Sequence, residues 1–213
     1  MEDLTKNHVN SQESFWEGSF GDFYIERNNS LELESSNLFF FSNILSKLNE
    51  EIKSVCEFGA NIGLNLEVIK KLFPKCKTCG VEINKKAYEE LIERSSIDDA
   101  IHSSIFDVKL GSDCFDLSFT KGVLIHLNPL LLQKAYKILY DTSKKYILLA
   151  EYYNPVPVEI EYRGFKNKLF KRDFAGEMLA KYPTLQLKDY GFSYNKDPIS
   201  PQDDITWFLL EKK

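Results

Sequence analysis

From Ser54 onward, short apolar runs alternate with amphipathic stretches. Val55-Cys56-Glu57-Phe58 is strand-like and ends at Gly59. Ile62, Leu66, Ile69 and Phe73 then recur at the spacing of one helical face, and Pro74 stops that helix. Cys79 to Ile83 gives a second strand, and Ala87, Tyr88, Leu91 and Ile92 mark a second helix. A weak strand near Ala100 to Ile105 precedes a clearer one, Phe115 to Phe119. Asn128-Pro129 reads as an N-cap with Pro at N1, opening a helix that carries Leu132, Ala135, Tyr136 and Leu139 on one face. Tyr146 to Ala150 is continuously apolar, as expected of a parallel strand covered on both faces. About 20 irregular residues follow, then a helix near Asp173 to Tyr182 stopped by Pro183. Two last strands, about Leu185 to Tyr194 and Ile205 to Glu211, have no helix between them and should pair antiparallel. Upstream, the first 30 or so residues are polar with spaced aromatics (Phe15, Trp16, Phe20, Phe23, Tyr24), and Leu38, Phe41, Leu45 and Leu48 share a helical face.

This alternation predicts an α/β fold. The expected sheet is Rossmann-like and mostly parallel, with seven strands, an antiparallel C-terminal strand and helices on both faces. Right-handed crossovers place the C-terminal strand ends along one edge, where ligands bind at the reversal of strand order. Residues 1–213 read as one domain, with 1–50 an N-terminal helical arm or lid and 151–172 a substrate-facing insertion after the fifth strand. The net charge of −5 argues against a general nucleic-acid binder, whose affinity rests on basic surface. The start, MEDLTKNHVNSQES, lacks a basic segment leading into an apolar one, and no apolar run reaches the length of a membrane span, so a cytoplasmic protein is expected. Cys76 and Cys79 form a CxxC, but Cys56 and Cys114 stand apart and no second pair or nearby His completes a zinc site. The CxxC runs into a strand rather than opening a helix, so a structural role is expected for it.

The chemistry begins at the first strand end, Glu57-Phe58-Gly59-Ala60-Asn61-Ile62-Gly63-Leu64-Asn65. A dinucleotide fingerprint from Gly59 would need glycine where Asn61 and Leu64 stand, and Glu57 would repel a pyrophosphate. An acidic residue two before the first glycine suits a ligand with an ammonium group and no phosphate. Gly59 and Gly63 let the backbone approach that ligand, and Asn61 visits positive φ more readily than most residues. Glu82 ends the second strand, where a carboxylate accepts both hydroxyls of a ribose. A nucleoside carrying an amino acid meets these demands: S-adenosylmethionine, with S-adenosylhomocysteine as product.

The order ExGxNxG, strand-end Glu82, Phe115-Asp116-Leu117 and two C-terminal strands resembles the class I S-adenosylmethionine-dependent methyltransferases, from about Ser54 to the C-terminus. The strings FWEGSFG at 15–21, FTKGVLIH at 119–126, EYYNP at 151–155, YRG at 162–164, FKRDFAGE at 170–177 and PQDD at 201–204 are more particular. Together they resemble the pseudaminic acid biosynthesis-associated methylases, a family associated with bacterial nonulosonic-acid sugars of surface glycans. The resemblance implies that Glu57, Gly59 and Gly63 surround the methionine end, with Asn61 in the same cofactor-binding loop. It places Glu82 on the ribose, Ile83 beside the adenine, and Ser104 and Ile105 at the third-strand position touching the adenine, where many relatives have Asp-Ala. Thr120, for the cofactor, and Lys121, for the substrate, fall beside the transferred methyl.

Methyl transfer is an in-line displacement, so the protein mainly holds two reactants at near-attack distance. A hydroxyl or protonated amine acceptor also needs a base, and no metal is required. His126, unlike His8 and His102, lies near the binding edge and is one candidate base; a structural histidine is equally at home in Val123-Leu124-Ile125-His126-Leu127. Glu151 at the fifth strand tip is the rival, or a loop cap. For the substrate, Tyr152, Tyr153 and Tyr162, with Asn154, offer flat surfaces with polar tips against a sugar ring. From Arg163 to Arg172 five of ten residues are basic and none acidic, a solvated run or an anion site. Lys171 and Arg172 sit near the expected helix N-terminus, where the dipole disfavours cations, and this tilts the reading toward anion binding. Trp16, Phe20 and Tyr24 form either a lid or a packed helix, and Asp203 and Asp204 either border the acceptor pocket or begin a turn.

The expected function is methyl transfer from S-adenosylmethionine to an O or N atom of a small anionic acceptor. That acceptor would be a nonulosonic (pseudaminic- or legionaminic-type) sugar acid, its nucleotide-linked form or a precursor, with no nucleic acid, membrane or metal partner. The alternatives are a non-catalytic partner protein with this fold, or a nucleotide-dependent oxidoreductase.

Overall fold

The computed structural model describes residues 11–27 and 30–213; His8 and the start of the chain lie outside the described residues. Three helices come first: α1 Ser11–Glu17, α2 Ser19–Arg27 and α3 Leu31–Leu45. Strand and helix then alternate through β1 Ser54–Phe58, α4 Leu64–Leu72, β2 Lys77–Glu82, α5 Lys85–Glu93, β3 Asp99–His102 and β4 Phe115–Lys121. Two 3-10 turns, Leu124–His126 and Pro129–Leu131, lead into α6 Leu132–Thr142 and β5 Ser143–Glu151. The chain closes with β6 Val158–Tyr162, β7 Phe165–Lys171, α7 Phe174–Lys181, β8 Leu185–Ser193 and β9 Ile205–Lys212.

Seven strands form one sheet in the order β3-β2-β1-β4-β5-β9-β8. All neighbours from β3 to β5 pair parallel, while β9 runs antiparallel to both β5 and β8. Strand order reverses between β1 and β4, so the C-terminal ends of β1, β2, β4 and β5 present Glu57, Glu82, Lys121 and Glu151 along one edge.

The alternation of the strands divides the core into two layers. Cys56, Phe58, Val81, Ile147 and Leu149 face one side, against Tyr136 and Leu139 of α6 and Phe174 and Met178 of α7. Val55, Leu117, Phe119, Tyr146 and Leu148 face the other, against Phe41 and Ile44 of α3 and Leu66 and Ile69 of α4. Cys56, Cys76 and Cys79 are buried in these layers and Cys114 is exposed. Among the described residues no cluster of His, Cys, Asp or Glu could hold a metal, and no helix is long and apolar enough to cross a membrane.

Three expectations need correction. The residues after β5 are not irregular, because β6 and β7 pair as an antiparallel hairpin turned at Arg163 and Gly164, both at positive φ (51° and 84°). That two-residue geometry matches the right-handed strand twist. The third strand is Asp99–His102 and stops before Ile105. On α3, Leu38 is exposed and the buried stripe is Ser36, Asn37, Phe40, Phe41, Ile44 and Leu45, rotated because two polar side chains occupy its start; Leu48 lies beyond the helix. Lys171 ends β7 and Arg172 directly precedes the N-cap Asp173, which accepts from Gly176 N at 2.7 Å, so both cations lie near the N-terminus of α7 as expected.

Candidate functional site

The loop after β1 folds over the tip of β2. Gly59 N and Ala60 N both donate to Val81 O, at 2.8 and 3.0 Å. Gly59 (φ 74°), Asn61 (φ 49°) and Gly63 (φ 83°) all adopt the left-handed conformation, and Asn61 is the non-glycine residue that tolerates it. A Cβ on Gly59 would stand 2.5 Å from Val123 Cγ2. One on Gly63 would meet Leu91 Cδ1 at 2.6 Å, so Gly63 serves the close packing of α4 on α5 and lies behind the cavity wall.

Between this loop, the ends of β2 and β3 and the segment after β4 lies a cavity of about 230 Å³. Glu82 stands in its wall, one oxygen accepting from Asn61 N and the other from Asn84 N, both at 2.7 Å. Burial raises its pKa against the pull of those amides. Each carboxylate oxygen has a second lone pair, which leaves Glu82 able to accept two hydroxyls. Ile83, Ser104 and Ile105 line the same wall, with Phe106 and Leu127 completing an apolar slot.

Glu57 lies beneath the loop, buried and, like Gly63, outside the cavity lining, which Asn65 joins. Asn65 Nδ2 donates to its Oε1 at 2.6 Å, while Oε2 is buried with no partner. Burial raises its pKa to about 8, opposed by the Asn65 hydrogen bond and the Lys121 charge. A second orphan, the Trp16 indole N–H, is also buried without a partner, and Trp16 lines the cavity.

At the far end stand Lys121, His126 and Asp203. Lys121 makes no hydrogen bond or ion pair among the described residues, and burial lowers its pKa despite the charges of Asp203, Glu57 and Glu151. His126 Nδ1 lies 2.6 Å from Lys168 O. A carbonyl only accepts, so Nδ1 carries the proton and Nε2 keeps a free lone pair. Burial depresses this imidazole to about 4, which leaves it neutral near pH 7.

Glu151 proves to be a cap. Its Oε1 accepts from Val123 N and Leu124 N at 3.2 and 3.1 Å, and its Oε2 from Ile125 N at 3.3 Å, shaping the 3-10 turn that carries His126. It lies outside the cavity wall, with its pKa raised by burial to about 7. Thr120 also departs from expectation: it is fully buried behind the wall, beside the Glu151 carboxylate.

The N-terminal helices cover the cavity, and the β6–β7 hairpin packs on them from outside its wall. Trp16 packs on His126 (ring centroids 4.6 Å) and Tyr162 (6.4 Å), and Phe15 and Phe20 pack on Phe165 at 5.1 and 5.9 Å. Lys168 Nζ donates to Ser11 O at 2.7 Å, and Gln12 Nε2 donates to Asn167 O at 3.2 Å. Asn84 ties this cover to the sheet: its oxygen caps α5 through Ala87 N at 3.0 Å, while its Nδ2 reaches Trp16 O, Glu17 O and Asp22 Oδ1 at 3.0–3.3 Å.

Of the proposed acceptor residues, only Lys121 lies in the cavity wall, and the Tyr162 ring lies tilted against the His126 ring with centroids 4.9 Å apart. Lys171 sits over the Tyr152 ring at 5.1 Å, and burial raises the Tyr152 phenol. The others are placed elsewhere. Tyr153 is exposed over Phe208, Asn154 donates to Val156 O at 2.6 Å within a turn, and Arg163 is exposed at the hairpin tip. Arg172 is paired with Glu177 at 2.6 Å, which also accepts from Tyr136 at 2.8 Å, so its charge is committed. Of the two C-terminal acids, Asp203 lines the cavity, whereas Asp204 accepts from Asn195 N and Nδ2 at 2.9 and 2.8 Å and closes a turn.

The sequence reading missed Glu13, Asn37, Asn84 and Gln202, which all line the cavity. Asn84 carried a local signal, an Asn N-cap directly after the strand-end acid. For Asn37 and Gln202 the signal exists only in three dimensions.

No protein-family model matches this chain, and no curated protein does either. Solved structures do. A methyltransferase from Leishmania major, described as S-adenosylmethionine-dependent, superposes with a TM-score of 0.69 at 16% identity, covering 99% of this chain and 85% of that one. The 1,6-didemethyltoxoflavin N1-methyltransferase of Burkholderia thailandensis, with S-adenosylhomocysteine bound, gives 0.68 at 11%, over 100% and 92%. Magnesium protoporphyrin IX methyltransferase from Synechocystis, with S-adenosylmethionine bound, gives 0.65 at 11% over the full length of both chains. The fold is the Rossmann-like methyltransferase fold.

Proposed function

We propose that this chain transfers a methyl group from S-adenosylmethionine to an O or N atom of a small anionic acceptor. The observation that carries the reading is a pair of buried carboxylates, Glu57 and Glu82, at adjacent strand ends under a loop of left-handed residues. A phosphate ligand gains no charge partner from either acid. A ribose diol matches the spare lone pairs of Glu82, and a cationic amino acid matches the unpartnered Oε2 of Glu57. The neighbouring folds that carry this cofactor or its product support the same choice.

When bound, S-adenosylmethionine supplies a methyl already activated on a sulfonium. The remaining work belongs to the chain. Glu82, Ile83, Asn61 and the slot beside Ser104 and Ile105 hold the nucleoside. Lys121 and the Trp16 N–H hold the acceptor, His126 Nε2 takes its proton, and Lys168 O keeps the imidazole in the competent tautomer. In this reading residues 1–50 are the lid and 151–172 the acceptor-facing insertion of a single cytoplasmic domain.

For the acceptor we infer a nonulosonic sugar acid, free, nucleotide-linked or as a precursor, in keeping with the resemblance to the pseudaminic acid-associated methylases. The strings that carry this resemblance bring Trp16, Lys121, His126, Gln202 and Asp203 to the cavity wall. A free cation beside aromatic rings and carboxylates suits a polyhydroxylated acid.

Thermal unfolding with S-adenosylhomocysteine tests the cofactor. A ligand at about 100 times its dissociation constant adds about 2.7 kcal/mol. For this chain length that raises the midpoint by about 5–10 °C. The shift should vanish in Glu82→Ala, and NAD should give none. A shift with NAD alone overturns the reading. Mass-spectrometric assay with pseudaminic and legionaminic acids, and with their nucleotide-linked forms, tests the acceptor through a gain of one methylene mass.

A further inference from the structure

We propose that Glu13, supplied by the N-terminal helix α1, selects the base of the cofactor by accepting its exocyclic amine; this rests on the S-adenosylmethionine reading. Beyond Glu82 the cavity ends in a slot between Ile83, Ile105, Phe106 and Leu127, apolar on its faces and suited to a planar ring. Of the polar side chains in the same lining, which also include Gln12 and Ser103, Ser104 and Glu13 are joined by a hydrogen bond.

Ser104 is already committed. Its Oγ accepts from Phe106 N at 3.0 Å and donates its one proton to Glu13 Oε1. It therefore has no proton left to donate to a base. Glu13 Oε2 has no hydrogen-bond partner among the described residues, so the slot presents a carboxylate oxygen to whatever edge the ring offers. Adenine offers an amine at that edge, with two donors. Hypoxanthine offers a carbonyl there, whose lone pairs would oppose the carboxylate. The chain thus reads an amino-purine with an acid borrowed from a helix 91 residues distant from Ser104 in sequence.

The borrowed acid is well fixed. Lys168 and Gln12 tie α1 to the hairpin, and Asn84 ties the end of α1 to the tip of β2. The base is consequently read only while α1 is docked, which makes closure of the N-terminal helices part of cofactor recognition.

Isothermal titration of S-adenosylhomocysteine and of S-inosylhomocysteine tests this in the wild type, Glu13→Gln and Glu13→Ala. The wild type should prefer the adenosyl compound. Glu13→Gln, nearly isosteric and expected to unfold at the wild-type temperature without ligand, should lose about 10- to 100-fold for the adenosyl compound. It should hold or improve binding of the inosyl compound, because its amide can donate to the carbonyl. Glu13→Ala should bring the two affinities together. Wild-type affinities in both variants, or an equal loss of both compounds, would overturn the assignment while leaving the cofactor reading intact. A wild type that binds neither compound sinks the cofactor reading, and the Glu13 assignment with it.

Discussion

Asn65 Nδ2 donates to Glu57 Oε1 across 2.6 Å and leaves the other carboxylate oxygen buried and bare. Asn65 in turn accepts from Asn37 Nδ2 at 3.0 Å, and Asn37 Oδ1 accepts from Gln202 Nε2 at 3.1 Å. Gln202 also donates to Ser36 Oγ at 2.8 Å, and Ser36 donates to Pro201 O at 2.5 Å. A polar relay therefore runs from the glycine loop through α3 to the segment before β9. Its members are held by one another and leave Glu57 half satisfied.

That half-satisfied acid predicts proton release on binding. Glu57, raised to about 8, is largely protonated at pH 7 without ligand. The cationic amino group of S-adenosylhomocysteine should pull it toward the ordinary carboxylate range, so binding should expel a fraction of a proton. Titration calorimetry in two buffers of different ionisation enthalpy measures this. The buffer dependence should disappear in Glu57→Gln; its persistence there would assign the proton to another group.

The same shifts set the stability of the free protein. Glu57 and Glu151 (about 7) hold protons when folded that they lose when unfolded, so their contribution falls as pH rises from about 4.5 to 7–8. His126, depressed to about 4, acts oppositely and loses stability as pH falls from 6.5 to 4. Above pH 6.5 the two carboxylates lower stability as pH rises, while Lys121, depressed by burial, acts in the opposite sense as pH approaches the ordinary lysine range. Denaturant melts should show stability declining from pH 6.5 to 8, and Glu57→Gln should reduce that slope. A flat profile over this range would contradict the buried-acid picture.

Asn37 and Gln202 should be energetically coupled through the relay. Each alanine variant should cost about 1–3 kcal/mol, since it strands a buried partner. The double variant should cost less than the sum by about 0.5–3 kcal/mol. Strict additivity in urea melts would mean that the relay is not cooperative.

His126→Gln should lower kcat by about 10²–10⁴ while S-adenosylhomocysteine binds as before. An unchanged kcat would make this histidine a packing residue between Trp16 and Tyr162.

Arg172→Ala should cost stability, because it strands the Glu177 carboxylate beside Tyr136, yet leave the KM for the acceptor unchanged. A raised KM would restore the anion-site expectation that its pairing argues against.

Periodicity made much of this molecule legible. The continuous apolar run of β5 and the 4-3-4 spacing across α4 reflect burial that the chain can satisfy locally, and Glu57 and Glu82 stand at strand ends visible in sequence. What escaped were features decided by partners far along the chain. Ser36 and Asn37 turn the buried face of α3 because Asn65 and Gln202 await them. The hairpin was hidden because three of the seven residues of β7 are lysines, part of a run that reads as solvated, and Val158, Ile160 and Tyr162 of β6 alternate with glutamates. Glu151 at a strand tip looks the same in sequence whether it meets a substrate or three backbone amides.

The docking of α1 and α2 onto β6–β7 also constrains how such a protein can change its acceptor. Residues 11–27 and 158–171 share the aromatic contacts of Phe15, Trp16 and Phe20 with Tyr162 and Phe165. Neither segment can be exchanged for that of a related protein without remaking the other. A hairpin transplanted alone would arrive without the helices that fit it, and the two segments, distant in sequence, form one unit of inheritance.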